Sequence, residues 1–288
     1  LRYNERIKIN GIEIDDDSLL ETFEMIDEIR GNTTLTYFEF ATLSAFYLFS
    51  KSNLDVAVLE VGLGGRLDAT NIVDSDISII TSIGIDHTEF LGNTIDSIAL
   101  EKAGVMRPFK TCIYAQEKPP AALLKYAKNK SVNLLIHNND YQVNLGSSNW
   151  SLKFKHNFIN EIPNLKMVGD YQYNYAAASL LALDAILPEC LENHDVIKSA
   201  LSETEISGRF QYLSKSPDII LDVAHNEDAA RSLSDNIKKI GYDRIIVALG
   251  VLADKDVYSI VEPFSSLVDH WYIGTINSER GMNSDEIK

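Results

Sequence analysis

Apolar positions along the chain switch repeatedly between the two-residue period of strands and the three-to-four-residue period of helices. Residues 1–14 alternate around Arg6-Ile7-Lys8-Ile9-Asn10-Gly11, which predicts a short strand with a glycine turn. Three aspartates and Ser18 then precede Leu19, Leu20, Phe23, Ile26 and Ile29 at helical spacing, closed by Gly31-Asn32. Thr36 and Glu39 have the spacing of a capping box. The helix they open carries Phe38, Phe40, Ala41, Leu43, Phe46, Tyr47 and Phe49, which predicts an extensively buried surface. An apolar stretch from Asp55 to Glu60 follows, released into Gly62, Gly64 and Gly65. A β-branched run, Asp76 to Ser82, is released into Gly84-Ile85-Asp86-His87. Both read as strands whose C-terminal ends carry polar side chains. Thr94 caps a helix through Ile95, Ile98, Ala99, Lys102 and Ala103 to Gly104. A strand over 111–115, a helix led by Pro119-Pro120, and a strand over 132–136 continue the alternation.

Residues 141–155 predict a hairpin around Gly146-Ser147-Ser148-Asn149. Helices are expected over 170–187, ended by Pro188, and over 195–204. The pattern resets at Gly208. Strands at 218–224, 244–249 and 271–275 then alternate with helices at 228–240 and from 255 to about 268, a small parallel Rossmann-like unit. The expected fold is α/β, with one domain over 1–207 and a smaller one over 208–288.

Composition narrows the setting. The chain has 288 residues, 45% hydrophobic and 24% charged, as expected of a globular protein. Forty-two acidic against 26 basic side chains give a net charge of −16, which opposes contact with nucleic acid or anionic membranes. No apolar run reaches the roughly 18 residues needed to span a bilayer, and no signal peptide opens the chain, so the cytosol is expected. Cys112 and Cys190 form no C-x-x-C pair and read as reduced packing residues. The first residues, Leu-Arg-Tyr-Asn, lack a methionine and read as the middle of an element, which predicts a fragment.

Glu60 is costly in a buried strand unless something binds it. With Asp86 and His87 it offers oxygens and an imidazole, a set compatible with Mg2+ or Mn2+; zinc stays open, without H-E-x-x-H spacing or a nearby cysteine. Glycine spacing at 62–65 is not G-x-G-x-x-G, and G-x-x-x-x-G-K-[ST] occurs nowhere. In the second unit Asp222-Val223-Ala224-His225-Asn226 ends a strand just before a helix, whose N-terminus favours anions. Arg209, at the junction, could reach a phosphate held by the first unit.

LEVGLGGRLDATN at 59–71, SIGIDHTEFLGNTIDSIALEKAGVMRP at 82–108, GRFQ at 208–211 and DVAHN at 222–226 resemble the bacterial folylpolyglutamate synthase and dihydrofolate synthase family of the Mur ligase superfamily. TYFEFATLSAF at 36–46 and LRYNERIKING at 1–11 resemble it too, so the likeness runs nearly end to end. It implies a P-loop-type central ATPase domain, truncated at its N-terminus, and a Rossmann-like C-terminal domain, truncated at its end. The implied enzyme is a ligase that uses ATP and Mg2+ to join L-glutamate to dihydropteroate or a folate through an acyl phosphate; a monomer is expected, though the resemblance leaves oligomeric state open. The resemblance makes Glu60 and His87 metal ligands, and Lys102 a lysine that is carbamylated and helps hold metal. It places Arg209 on phosphate, Asp222 on ribose and His225 near the nucleotide. Its adenine-contacting asparagine falls where this chain has Tyr175. Asn174 sits one residue early, about 100° around the helix, and Tyr175 could stack instead. The P-loop is expected upstream of Leu1, so the 288-residue chain alone is expected to be inactive. The competing expectations are another Mur-type amino-acid ligase and a non-catalytic remnant of the fold.

Overall fold

The structure, a computed structural model, describes residues 2–288; Leu1 lies outside the described residues. A helical turn at Tyr3–Arg6 leads into strands β1 (Lys8–Ile9) and β2 (Ile12–Glu13), an antiparallel hairpin. Asn10 and Gly11 both have positive φ in its turn, the conformation that suits the twist of a two-residue hairpin. Helices α1 (Asp16–Arg30) and α2 (Tyr37–Lys51) follow, capped by Asp15 and by the Thr36/Glu39 capping box. They meet through Phe23 and Phe40, edge to face at 5.3 Å. Phe38, Phe40, Phe46, Tyr47 and Phe49 of α2 are only half-buried, and Leu43 is exposed, so this surface is less covered than its pattern predicts.

Residues 55–61 run on without a strand partner, and Val58 is 86% exposed. An isolated apolar run becomes a strand only when a neighbour supplies the ladder, and none does among the described residues. The ladder that does form is parallel, in the order β3 (Ile77–Ile80), β4 (Thr111–Tyr114), β5 (Asn133–Ile136). Helices α3 (Thr88–Leu91), α4 (Ile95–Ala103) and α5 (Ala121–Asn129) connect these strands. As the central strand, β4 is buried on both faces. Cys112 and Tyr114 pack with Ala99, Ala103 and Leu123 on the α4/α5 side. Ile113 and Ala115 pack on the other side with Ala177, Ala178 and Leu181.

That second layer combines helix α6 (Asp170–Ile186) with an antiparallel meander of β6 (Tyr141–Leu145), β7 (Asn149–Phe154) and β8 (Asn157–Pro163). The hairpin is the one predicted, but β8 is an addition. Its buried residues Ile159 and Ile162 are three apart, which does not read as a strand. A bulge explains the spacing: register shifts between Trp150 and Leu152, so Ile162 faces Trp150 while Ile159 faces Leu152. Helix α7 (His194–Glu203) closes this unit.

Beyond Gly208 come β9 (Gln211–Lys215), β10 (Asp218–Leu221), α8 (Glu227–Ile240), β11 (Ile246–Leu249), α9 (Val257–Val261), β12 (His270–Ile273) and α10 (Ser284–Ile287). β11 and β12 are parallel. β10 pairs antiparallel with β9, not in the expected parallel sheet. α9 is shorter than expected because Pro263 lacks the N–H that would continue it. Cys112 is buried, but Cys190 is exposed and is no packing residue. No helix among the described residues is long and apolar enough to cross a membrane.

At the end of β5, His137 is buried against Tyr141 with both ring nitrogens unpartnered. Burial pushes its imidazole below its ordinary pKa, partly opposed by Glu117. The unfolded chain therefore binds a proton more readily, and stability is expected to fall as pH drops below the unfolded value of about 6.5. Urea denaturation at neutral and mildly acidic pH checks this: His137→Phe should lose less stability on acidification than the unsubstituted protein. Equal losses would contradict it.

Candidate functional site

Glu60 is exposed, and its carboxylate takes part in no hydrogen bond among the described residues. The turn after it is built to stay in place. Asp68 Oδ2 accepts the Gly62 and Leu63 N–H groups at 2.9 and 3.0 Å, while Oδ1 accepts the Thr70 N–H at 2.9 Å. Gly64 has φ +69°, which a side chain would strain. The Arg66 N–H donates to the Glu101 carbonyl at 2.8 Å, and its guanidinium forks onto the Glu101 carboxylate at 3.0 to 3.2 Å. Asn71 Nδ2 reaches the Gly104 carbonyl at 3.0 Å, and Arg107 donates to the Asn71 carbonyl at 2.7 Å. These residues clamp the glycine turn onto the C-terminal end of α4, the turn of helix that carries Lys102.

Lys102 is half-buried and has no hydrogen bond or ion pair among the described residues. Burial pushes its amine below the ordinary lysine value, while the Asp86 charge works in the opposite sense. A buried amine of this kind is a better nucleophile than a solvated ammonium.

Asp86 and His87 leave the end of β3. His87 has left-handed backbone, φ 50°, a conformation that costs a non-glycine residue energy and that clusters at functional sites. Its N–H donates to Asp86 Oδ1 at 2.8 Å. The same carboxylate receives Asn226 Nδ2 at 2.8 Å and Lys255 Nζ at 3.0 Å, and His225 Nε2 stands 3.6 Å away. Burial raises the Asp86 carboxyl, but the donors from Asn226, Lys255 and His87 overcome it and hold it at about 2. Asp86 is ionised throughout the neutral range.

The loop after β10 supplies His225 and Asn226. His225 Nδ1 lies 2.9 Å from the Val223 carbonyl, leaving Nε2 toward Asp86. Asp222 accepts N–H groups from Phe210 and Ala224, each at 2.8 Å, tying this loop to the junction that carries Arg209. Arg209 is exposed and unpaired among the described residues. Its charge, like that of Asp222, is felt at Tyr171 near the start of α6, although burial dominates that phenol and raises its pKa. Tyr175 lies edge-on to Tyr171 at 5.6 Å. Asn174 beside it is half-exposed, with no hydrogen bond among the described residues.

The structure thus gathers His87 and His225 around Asp86, whose charge also reaches Lys102, and sets Arg209 and Asp222 at the junction. Lys255 carries no sequence signal of its own beyond opening the helix expected from 255, and the structure instead gives Asp256 as the cap of α9. Among the described residues no three His, Cys, Asp or Glu side chains converge as a metal cluster.

Residues 6–183 match the Mur ligase middle domain family, and residues 208–288 match the Mur ligase glutamate ligase domain. The chain is 38% identical over 288 residues to a dihydrofolate synthase/folylpolyglutamate synthase of Escherichia coli, covering 100% of this chain and 67% of that protein. With the protein of that description from Buchnera aphidicola of Schizaphis graminum, identity is 40% over 291 residues, covering 100% and 68%. The solved structure of E. coli FolC in complex with DHPP and ADP superposes with TM-score 0.93 at 37% identity, over 100% of this chain and 68% of that one. A Yersinia pestis bifunctional folylpolyglutamate synthase/dihydrofolate synthase complexed with AMPPNP and Mn ion superposes at 0.91, with 37% identity and the same coverage.

A Cβ on Gly104 would stand 2.4 Å from Arg66 Cα, backbone against backbone. Gly104→Ala should therefore loosen the clamp and cost about 1–3 kcal/mol of stability, read as a lowered Tm. An unchanged Tm would show that the turn is not seated as described.

Proposed function

Since the chain belongs to the dihydrofolate synthase/folylpolyglutamate synthase family of Mur ligases, we propose that it carries out ATP-dependent amide formation. It joins L-glutamate to dihydropteroate, to the terminal glutamate of a folate, or to both. The observation that carries this reading is the superposition of the whole chain on a relative solved with DHPP and ADP. The acid's carboxylate oxygen takes the γ-phosphoryl group, ADP leaves, and the glutamate amine attacks the acyl carbon, expelling phosphate and forming the amide.

Each part asks something of this chain. Arg209, exposed and unpaired among the described residues, is the proposed phosphate contact, and Asp222 the proposed ribose contact, with acceptor capacity left for a hydroxyl. Asn174 and Tyr175 are the candidates for contact with the adenine. His225, with Nε2 free of the Val223 carbonyl, can hold or move a proton near the attacking amine. Glu60 and His87 are the proposed Mg2+ ligands, joined by Lys102 once its amine has added CO2 and become an anion. Bound there, Mg2+ would neutralise phosphate charge. The unpaired, desolvated amine supports that modification. A carbamate signal from carbon-labelled bicarbonate, lost in Lys102→Arg, is the expected result, and no signal would reject it. We place the domain junction at Gly208 and expect a cytoplasmic monomer acting on small molecules.

An assay of the full-length protein tests the reading: glutamate and ATP should be consumed with dihydropteroate or a folate and not with a peptidoglycan precursor. The opposite preference would reassign it within the Mur ligases, and no turnover would favour a non-catalytic remnant. Glu60→Gln should stay folded and lose turnover by about a hundredfold or more. Full activity in that variant would reject the metal assignment.

A further inference from the structure

Water must be kept from an acyl phosphate, so whatever holds the two units together matters to the chemistry. Among the described residues three side-chain hydrogen bonds join positions before 208 to positions after it. One runs from Lys239 to Asp170 at 2.7 Å between exposed side chains, where solvent weakens it. The other two, from Asn226 at 2.8 Å and Lys255 at 3.0 Å, end on Asp86. The Lys255 side chain keeps only 9% of its exposure, so its ammonium has exchanged most of its water for this carboxylate. The two units also meet at Gly84, where the Asp228 carboxylate from the first turn of α8 lies so close that a Cβ would stand 2.4 Å from its Oδ2.

We infer that Asp86, Asn226 and Lys255 form a closure latch, positioning residues that keep the second unit seated on the end of β3 while the acyl phosphate awaits the amine. The inference rests on the ligase reading above. With both partners present each buried charge is compensated, whereas removing one leaves the other buried and unpaired, so the closed arrangement requires both. Separation returns both groups to water, which makes the latch reversible within each cycle. With the units apart, water adds to the acyl carbon in place of the amine. Phosphate leaves, the carboxylate is regenerated, and ATP has been consumed without an amide.

Asn226→Asp is the sharpest probe. Asn226 Oδ1 caps α8 by accepting the Ala229 N–H at 3.0 Å, which a carboxylate does equally well. The helix is therefore kept, while the donor facing Asp86 becomes a second anion. In the full-length protein, Asn226→Asp and Lys255→Met should each raise phosphate released per amide formed by about threefold or more. A purely structural role would lower both products together and leave that ratio alone. With ATP analogue and glutamate present, Asn226→Asp should show a larger radius of gyration by small-angle scattering. Asp86→Asn combined with Asn226→Asp, which restores a donor–acceptor pair of reversed polarity, should bring the radius back toward the original. If Lys255→Met fails to fold, Asn226→Asp decides alone. An unchanged phosphate-to-amide ratio in Asn226→Asp overturns the latch. A protein that makes no amide overturns the ligase reading instead, and equal radii for it and Asn226→Asp would then overturn the latch as well.

Discussion

Two oxygens of one carboxylate, in the loop after β3, take donors from that loop and from two others distant in sequence. The His87 N–H comes from its own loop, Asn226 from the loop after β10, and Lys255 from the loop after β11. Burial alone would favour a neutral Asp86, and the donors reverse that and keep it charged. The balance is what joins the units: without Asn226 and Lys255 the buried charge would be uncompensated, and without the charge Lys255 would be a buried cation with only Asp254 nearby. The same aspartate precedes His87 and acts on Lys102, so the contact between units is also a contact with the proposed metal and phosphate chemistry.

The glycine turn has a different part from the one its composition suggests. Its backbone N–H groups are already taken by Asp68, which leaves Gly62 and Leu63 without donors for a phosphate. Its glycines serve close approach: the turn sits against the end of α4, with Arg66 bound to Glu101 on one side and Asn71 bound to Gly104 on the other. Arg107 draws the following segment onto this end of the helix through the Asn71 and Val73 carbonyls. The conspicuous residues of this stretch are framework, and they fix Glu60 relative to the helix that carries Lys102.

Local signals in the sequence were sufficient where the physics is local. The Thr36/Glu39 box, the Thr94 cap and the helix over 170–186 stand where the pattern places them, because capping and periodicity act within a few residues. The misses need distant partners. Residues 55–60 carry strand chemistry without a ladder, and β8 hides behind a bulge that only its pairing with β7 reveals. β9 was not foreseen at all, and its antiparallel ladder with β10 depends on a turn the apolar pattern does not mark. At the site, the polar groups that follow apolar runs pointed to Glu60, His87 and His225, and such groups are legible one run at a time, although the run before Glu60 forms no strand among the described residues. Lys255 was illegible for the complementary reason: its meaning lies in Asp86, 169 positions away.

On this reading one ionised aspartate assembles a single site from two units. A crystal structure of the full-length protein with an ATP analogue, divalent metal and glutamate tests it most directly. The expected complex has Asp86 hydrogen-bonded to both Asn226 and Lys255, with Glu60, His87 and Lys102 on the phosphate side of the same cleft. Asp86 facing solvent in that complex, with Asn226 and Lys255 bound elsewhere, would contradict it.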